Sequence, residues 1–335
     1  MENAPYLSVV VPCYNEEPVV AALHARLSAA CQKVVGDRYE IALINDGSRD
    51  NTWATMQKLA LADPHVVAVS LSRNHGHQLA LTAGLSICAG ERILIIDADL
   101  QDPPELLGQM MEMMDRGADV VYGQRSSRGS ETAFKRASAS LFYRLLTKMT
   151  DVSIPVDTGD FRLISRRVLS VLQSMPEQHR FIRGMVSWVG FTQVPVVYDR
   201  AERFAGTTKY PFHKMLRFAL DAVTGFSTLP LRVSSYVGAF LGLAALAMIG
   251  YALVGYLQSR VVQGWTSVMI AVLLLGSAQM FFLGILGEYV GRLYIEAKHR
   301  PLYVISEVTR VPASRHDALS TNSAVGASRS RANGY

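Results

Sequence analysis

The chain has 335 residues, of which 50% are hydrophobic and only 18% are charged, and its formal net charge is +5. Soluble domains contain about 25% charged residues, so charge is scarce here, and the composition excludes a disordered or fibrous protein. The three cysteines form no Cys-X-X-Cys pair, which excludes a disulfide framework and a zinc site and favours a reducing, cytosolic setting.

Apolar runs rich in β-forming residues alternate with helix-like segments along the first two hundred residues. The predicted strands are residues 7–11, 41–44, 66–71, 93–96, 120–122 and 194–198, and the predicted helices are residues 17–35, 52–62 and 78–89. Strands that are apolar throughout and alternate with helices are typical of a mostly parallel sheet covered on both faces. The sequence therefore predicts an α/β fold.

Polar residues follow each of the first four predicted strands, at 12–17, 45–50, 72–76 and 97–103. Ligands of such sheets bind beyond the carboxyl ends of the strands, so these residues are predicted to share one site. Ordinary turn and N-cap roles are an equally good interpretation of Ser48, Asp50 and Asp102. Asp97 and Asp99 are different, because two carboxylates one residue apart repel each other unless a cation lies between them.

The signatures of two large enzyme classes are absent. The sequence has no Gly-X-Gly-X-X-Gly and no phosphate-loop lysine, which argues against dinucleotide oxidoreductases and nucleoside triphosphatases. After these exclusions, the simplest interpretation is that Asp97 and Asp99 hold a hard divalent ion whose coordination is completed by a diphosphate. His75 and His77 lack a third ligand at metal spacing, so a structural or capping role is favoured over zinc.

Two long uncharged stretches lie further along the chain, from 233 to 259 and from 261 to 287. Each exceeds the roughly 20 apolar residues needed to cross a bilayer. They predict a transmembrane hairpin with helices at about 233–257 and 267–287. Cations before the first stretch and after the second place both termini in the cytoplasm by the positive-inside rule.

The predicted domain organisation has four parts. They are a catalytic domain at 1–209, an amphipathic juxtamembrane segment at 210–231, the two transmembrane helices within 232–290, and a cytoplasmic tail at 291–335, disordered after about 310. Arg200, Arg203 and Lys209 precede the amphipathic segment and are predicted to contact the membrane interface or an adjacent loop, where cations strengthen docking to anionic lipids.

Four motifs, at residues 8–17, 44–50, 97–103 and 157–163, together resemble those of family 2 inverting glycosyltransferases with the GT-A fold. With the paired apolar stretches, the chain more narrowly resembles the polyprenyl-phosphate sugar transferases, relatives of dolichyl-phosphate mannose synthase, and above all the bactoprenyl glucosyltransferases. The resemblance covers about residues 6–303. One departure is Asn45, where many relatives have a second aspartate, so Asp46 alone remains as the charged candidate for contacting the base.

The resemblance implies a role for each group of residues. Nucleotide-sugar binding is assigned to Pro12, Tyr14, Glu16, Asp46 and Asp97, and Mg²⁺ or Mn²⁺ binding to Asp99 and Gln101. Lipid-phosphate binding is assigned to Arg125, Arg136 and Ser140, within a basic stretch that also supplies Arg128 and Lys135. The catalytic carboxylate is assigned to Asp160, with Arg162 as its partner, ahead of Asp157 and Asp97. Whether Asp160 acts as a base or orients the acceptor stays open.

The implied activity is transfer of glucose from UDP-glucose to undecaprenyl phosphate, with inversion, at the cytoplasmic face of a bacterial inner membrane. The product would be a lipid-linked sugar for O-antigen or other cell-envelope glycan modification. The alternatives are a related transferase that uses GDP-mannose or UDP-galactose, and a non-catalytic nucleotide-sugar-binding membrane scaffold. The expected partners are the UDP-sugar, the lipid phosphate, the bilayer and further copies of the chain, a tetramer by the resemblance, but no nucleic acid.

Overall fold

The computed structural model describes residues 4–126, 158–199, 229–257 and 264–311. The described strands are β1 (Leu7–Cys13), β2 (Tyr39–Asn45), β3 (Val66–Leu71), β4 (Arg92–Ile95), β5 (Val120–Arg125), β6 (Thr158–Ser165), β7 (Gln193–Tyr198) and β8 (Ile305–Thr309). They form one sheet in the order β7-β5-β6-β4-β1-β2-β3-β8. Four strand pairs are parallel, whereas β6 runs antiparallel to β4 and β5, and β8 runs antiparallel to β3. The predicted α/β fold with a mostly parallel sheet is confirmed.

Helices connect the strands and cover the sheet. The described helices are α1 (Glu17–Val35), α2 (Thr52–Ala62), α3 (His77–Ile87), α4 (Leu107–Asp115), α5 (Arg166–Ser174), α6 (Ile182–Val189), α7 (Leu229–Leu257) and α8 (Trp265–Ala297). The three helices predicted within the first ninety residues are present, each within two residues of its expected bounds. Proline in the first turn of α1 has no N–H to leave unpaired, and Ser165 caps α5 by accepting from the Val168 amide.

Both faces of the sheet are buried. Along β1, Leu7, Val9 and Val11 pack on the side of α1, whereas Val10 packs on the opposite side, beneath α3. All of these side chains are fully buried. The continuous apolar runs of the sequence therefore reflect strands that are covered twice, as expected for parallel sheets.

Helix α3 lies unusually close to the sheet. A Cβ atom at Gly84 would stand 2.3 Å from Val10 Cγ1 and 3.0 Å from Ile44 Cγ1, so only glycine permits this approach. Because α3 runs back from the end of β3, its first residues, His77 and Gln78, lie at the edge where the parallel strands end. We call this edge the rim.

Helices α7 and α8 contain most of both predicted apolar stretches, and α8 continues beyond the expected end at 287 to Ala297. Among the described residues, one helical stretch, Leu274–Ala297, is long and apolar enough to cross a membrane, and Val233–Ala244 is a shorter apolar stretch. Large apolar side chains such as Phe240, Tyr251 and Phe281 are exposed along both helices. The arrangement with two spans stays a prediction.

The chain after α8 adds a strand to the sheet. Within the predicted tail at 291–335, β8 pairs with β3 and forms an edge strand of the sheet. Ser306 Oγ donates to the Ser70 carbonyl (3.0 Å), and Gln57 Nε2 donates to Glu307 Oε1 (2.7 Å). A five-residue strand with exposed polar residues has little pattern of its own, because its stability comes from pairing with the free edge of β3.

Some expectations concern residues outside the described ranges. These are the amphipathic segment up to residue 228, the connection at 258–263 and the tail from residue 312.

Replacing Gly84 with alanine tests the close approach of α3. The added methyl group meets the Val10 side chain in a packed core, so Gly84→Ala should lower the free energy of unfolding by about 1–3 kcal/mol. The measurement is chemical denaturation of the purified protein in detergent. Gly108→Ala is the matched control, because the nearest atom to its Cβ is Val34 Cγ2 at 3.7 Å, and it should be neutral or slightly stabilising. Equal stability of the two variants would contradict the argument.

Candidate active site

The pairing of β4 with β6 brings Asp97 and Asp160 together. Ile95, the last residue of β4, pairs with Arg162 in antiparallel register. Asp97 is two residues after Ile95 and Asp160 is two residues before Arg162, so the two carboxylates meet at the rim. Strand β6 thus enters the site at its beginning, whereas the neighbouring parallel strands reach the site at their ends.

Asp160 is a buried carboxylate, only 6% exposed, with donors around both of its oxygens. His77 Nε2 lies 3.1 Å from Oδ2, and Gln78 Nε2 donates to the same oxygen at 3.2 Å. On the other side, Arg183 Nη2 donates to Oδ1 at 3.2 Å. Arg162, the partner expected from the sequence, lies further from Oδ1, at 3.9 Å, and donates instead to the carbonyl of Gly159.

The neighbouring groups shift the pKa values of Asp160, His77 and Asp97 in different directions. Burial alone would raise the pKa of Asp160, but the hydrogen bond from His77 and the charges of Arg183 and Arg162 lower it well below its ordinary value. Burial alone would lower the pKa of His77, but Asp160 and Asp97 raise it. Burial raises the pKa of Asp97 to about 6, with His77 opposing the rise and the Asp160 charge adding to it. The surroundings of Asp160 therefore favour its ionised form more than those of Asp97 do.

The sequence favoured a structural or capping role for His77, and the structure places it in the site. Nε2 of His77 lies 3.5 Å from Asp97 Oδ1 as well as near Asp160, and the potential ligand atoms of the three residues all lie within 4.8 Å of one another. His77 directly follows the polar loop after β3 and begins α3, and this position in the sequence could have indicated a place in the site. Arg183 had no such signal, because it lies within an amphipathic helix far along the chain.

The predicted metal ligands form a tight turn after β4. Leu100, between Asp99 and Gln101, has φ 57°, a backbone conformation that residues with a Cβ rarely adopt. The Gln101 amide donates to Asp99 Oδ1 at 3.2 Å. Asp97 Oδ1 is buried and accepts no hydrogen bond from the described residues. Carboxylate and amide oxygens on one turn, beside such a buried carboxylate oxygen, fit a hard divalent cation.

The loops after β1 and β2, where nucleotide contacts were predicted, are joined by hydrogen bonds. The Asn15 amide donates to Ser48 Oγ (3.0 Å), and Asn15 Oδ1 accepts from the Arg49 amide (2.9 Å). Pro12 is buried in β1, Tyr14 is exposed, and the Glu16 amide donates to Thr52 Oγ1 (2.9 Å). Tyr14 therefore presents an open aromatic face on a braced loop.

Asp46 braces the loop that leads into α3. Its two oxygens accept from the amides of His75 (2.7 Å) and Gly76 (2.9 Å). Burial raises the pKa of Asp46, and these two hydrogen bonds oppose the rise. Asn45 stands where many relatives have an aspartate. It donates to Ser70 Oγ and accepts from the Ser48 amide, so its side chain has a structural role. A carboxylate has further lone pairs, so the predicted contact of Asp46 with a base remains a prediction.

Arg125 ends β5 beside the start of β6. A Cβ atom at Gly159 would stand 3.2 Å from Arg125 Nη2, and Arg125 Nε is buried without a hydrogen-bond partner among the described residues. Tyr198, which donates to the buried Asp102, lies next to this guanidinium. Asp102 is therefore a structural partner of Tyr198 here, and Arg125 is a cation beside Gly159, the residue that precedes Asp160.

The other predicted site residues lie outside the described ranges. They are Asp157, Arg128, Lys135, Arg136, Ser140, Arg200, Arg203 and Lys209.

Known proteins share both the catalytic domain and the hairpin. The Glycosyl transferase family 2 profile matches residues 8–172, and the GtrB C-terminal hairpin profile matches residues 229–293. YkcC of Bacillus subtilis, an uncharacterised glycosyltransferase, is 44% identical over 301 residues, which cover 90% of this chain and 93% of that protein. The prophage bactoprenol glucosyl transferase homolog of Escherichia coli is 41% identical over 307 residues, covering 91% of this chain and 99% of that protein.

Among solved structures, glucosyl-3-phosphoglycerate synthase from Mycobacterium tuberculosis matches with a TM-score of 0.44 and 18% identity, over 66% of this chain and 78% of that chain. The sequence relatives, which align over most of their length and most of this chain, carry the assignment. The chain therefore belongs to glycosyltransferase family 2, in the branch whose catalytic domain is followed by a GtrB-type C-terminal hairpin.

Proposed function

We propose that the protein transfers glucose from UDP-glucose to a polyprenyl phosphate, undecaprenyl phosphate, at the membrane surface. The observation that carries the proposal is the group at the rim: a buried Asp160 beside Asp97, in contact with His77 and Arg183. Arg125 lies near the neighbouring Gly159. The names of relatives at about 40% identity, bactoprenol glucosyl transferases, support the choice of sugar and acceptor.

The donor is proposed to lie across the ends of β1, β2 and β4. Tyr14 would pack on the base, with Pro12 and Glu16 nearby and Asp46 at the edge of the base, while Asp97 contacts the sugar. The braced loops after β1 and β2 support this placement, because a rigid frame loses little entropy on binding.

A Mg²⁺ or Mn²⁺ ion is proposed to be held by Asp99 and Gln101. The three ligand atoms of His77, Asp97 and Asp160 are close enough for a second possibility, but Arg183 lies 3.2 Å from Asp160 and would oppose a cation there. When bound, such an ion supplies positive charge beside the departing diphosphate.

The acceptor phosphate brings its own nucleophile. Its second pKa is about 6, so near neutral pH an oxygen of the phosphate is already mostly ionised and needs little help from a base. In the proposed reaction this oxygen forms a bond to the anomeric carbon as the bond from that carbon to UDP breaks, with inversion. Arg125, together with the sequence-predicted Arg128, Lys135, Arg136 and Ser140, would hold the phosphate in line.

Asp160 is proposed to orient the cations rather than to accept a proton. A carboxylate whose pKa lies well below its ordinary value is a weak base, since its neighbours stabilise the charged form. It contacts His77 and Arg183, and the proposal places the anionic acceptor beside these two side chains. Asp157 stays a candidate from the sequence alone.

The apolar hairpin is proposed to anchor the enzyme in the inner membrane, with two spans and both termini in the cytoplasm. The long apolar helix α8 and the matching hairpin profile support membrane association. Arg200, Arg203, Lys209 and the segment at 210–231 would dock on the headgroups, and further copies of the chain would complete a homo-oligomer. A polyprenyl phosphate buries its chain in the same bilayer, so enzyme and acceptor meet at one surface.

Radiolabelled nucleotide sugars tell the candidate functions apart. Membranes containing the protein, undecaprenyl phosphate and UDP-glucose should yield label in a chloroform-soluble product. Equal or faster transfer from GDP-mannose or UDP-galactose would contradict the donor assignment. Absence of transfer from every donor, with UDP still bound, would instead favour the non-catalytic scaffold.

Removing the ion or its carboxylate ligand should have the same effect. EDTA and Asp99→Asn should each abolish turnover and weaken UDP binding measured by calorimetry, because the diphosphate loses its counter-charge. Circular dichroism checks that the variant remains folded. Undiminished activity in EDTA would contradict the metal proposal.

The pH dependence distinguishes orientation from base catalysis. Because the pKa of Asp160 is lowered, it stays ionised from pH 5.5 to 9, and the turnover ratio of wild type to Asp160→Asn should not fall as the pH rises across that range. The ratio can rise with pH, because the variant also loses the Asp160 charge that raises the pKa values of His77 and Asp97. The expected ratio is about 10²-fold, typical of a lost positioned charge. A ratio that falls as the pH rises would mean that added ionisation of the phosphate replaces a lost base, and Asp160 would then be a proton acceptor.

A further inference from the structure

Gln78, the second residue of α3, uses both ends of its side-chain amide at the site. Its Nε2 donates to Asp160 Oδ2 at 3.2 Å, and its Oε1 accepts from the Ile182 backbone amide at 2.9 Å. The residue is half-buried. A single side chain therefore joins the central carboxylate to the beginning of α6.

Ile182 is the first residue of α6 and directly precedes Arg183. The first backbone amides of a helix have no partner within the helix, and Gln78 supplies an acceptor for the first amide of α6. Arg183 in turn donates to the other oxygen of Asp160. Gln78, the start of α6, Arg183 and Asp160 thus form a closed ring of contacts.

A primary amide can make both contacts at once without a change of protonation state. It offers an N–H donor and a carbonyl acceptor on one rigid plane, whereas a carboxylate at the same position would keep the acceptor and lose the donor. Such a carboxylate would also face the negative charge of Asp160 at short distance. Asparagine is shorter by one methylene group and could not span the same two partners.

We propose that Gln78 is a positioning residue that sets the orientation of the Asp160 carboxylate and holds Arg183 opposite to it. The inference rests on the proposed function, in which Asp160 orients the cations that receive the acceptor phosphate. Displacement of a reacting group by about 1 Å can slow a reaction about 10²-fold, so a single lost contact here has a measurable effect.

Gln78→Glu tests the two hydrogen bonds of the side chain separately. The variant keeps the acceptor for the Ile182 amide and loses the donor to Asp160, whereas Gln78→Leu loses both. In the full-length protein in membranes, both variants should lower kcat at least tenfold, with the affinity for UDP within twofold of wild type. Unchanged UDP affinity also shows that the loops around the site are folded.

A double-mutant cycle shows whether the effect acts through Asp160. In the Asp160→Asn background, Gln78→Glu should change kcat by less than twofold, because the partner whose orientation it controls is already altered. Gln57→Glu is the matched control, since it also places a new carboxylate against an existing one, Glu307, at the distant edge of the sheet. Its kcat should equal that of wild type.

Each contrary result has a distinct meaning. Wild-type turnover of Gln78→Glu, or multiplication of its defect with that of Asp160→Asn, would overturn the positioning role and leave the proposed function standing. Wild-type turnover of Asp160→Asn would overturn the role of Asp160 in the proposed function, and the inference about Gln78 with it.

Discussion

An ionised carboxylate as deeply buried as Asp160 is stable only when donors and cations surround it. This requirement organises the rim. Two helices, α3 and α6, begin at the carboxylate and supply His77, Gln78 and Arg183, and β6 itself supplies Arg162. The partial positive charge of a helix N-terminus adds to the same stabilisation. The positions of both helices are therefore linked to a single negative charge.

The sheet explains why these groups can meet. Parallel strands end at one edge, and the antiparallel strand β6 brings its beginning to that edge, beside the end of β4. Helix α3 reaches the edge because Gly84 lets it lie close against β1 and β2. Asp46 then fixes the loop that enters α3 through two backbone amides. Packing in the middle of the domain thus sets distances between side chains at its rim.

The end of α8 and the residues after it contact α3 and the segment just before α6. Tyr303 donates to Ser86 on α3 at 2.6 Å, and Glu296, in the last turn of α8, accepts from the Gln178 amide at 2.8 Å, just before α6. Gln178 also donates to the Arg300 carbonyl at 2.9 Å. The end of α8 therefore packs against the elements that supply the site residues. These contacts fix the position of the site relative to the end of α8.

The sequence by itself determined the features that depend on local patterns. Apolar runs with polar ends predicted six strands, three helices, the apolar hairpin and the candidate residues Asp97 and Asp99, because burial and strand ends are reflected directly in residue type. Asp160 was a candidate only through the resemblance to a known family. Strand β6 was not predicted, since its buried Asp160 and Arg162 interrupt the apolar pattern. Strand β8 was not predicted either, since an edge strand takes its stability from its neighbour.

Only the tertiary structure decided which side chains surround Asp160. Gln78 and Arg183 are separated from it by 82 and 23 residues. Both belong to helices whose hydrophobic pattern indicates which face is buried but not which side chains they contact at the rim. His77 was visible in the sequence, but its pairing with Asp97 and Asp160 depends on the register of β4 against β6 and on the approach of α3. Contacts of this kind arise from long-range packing, because no local spacing records the distance between residues on different elements.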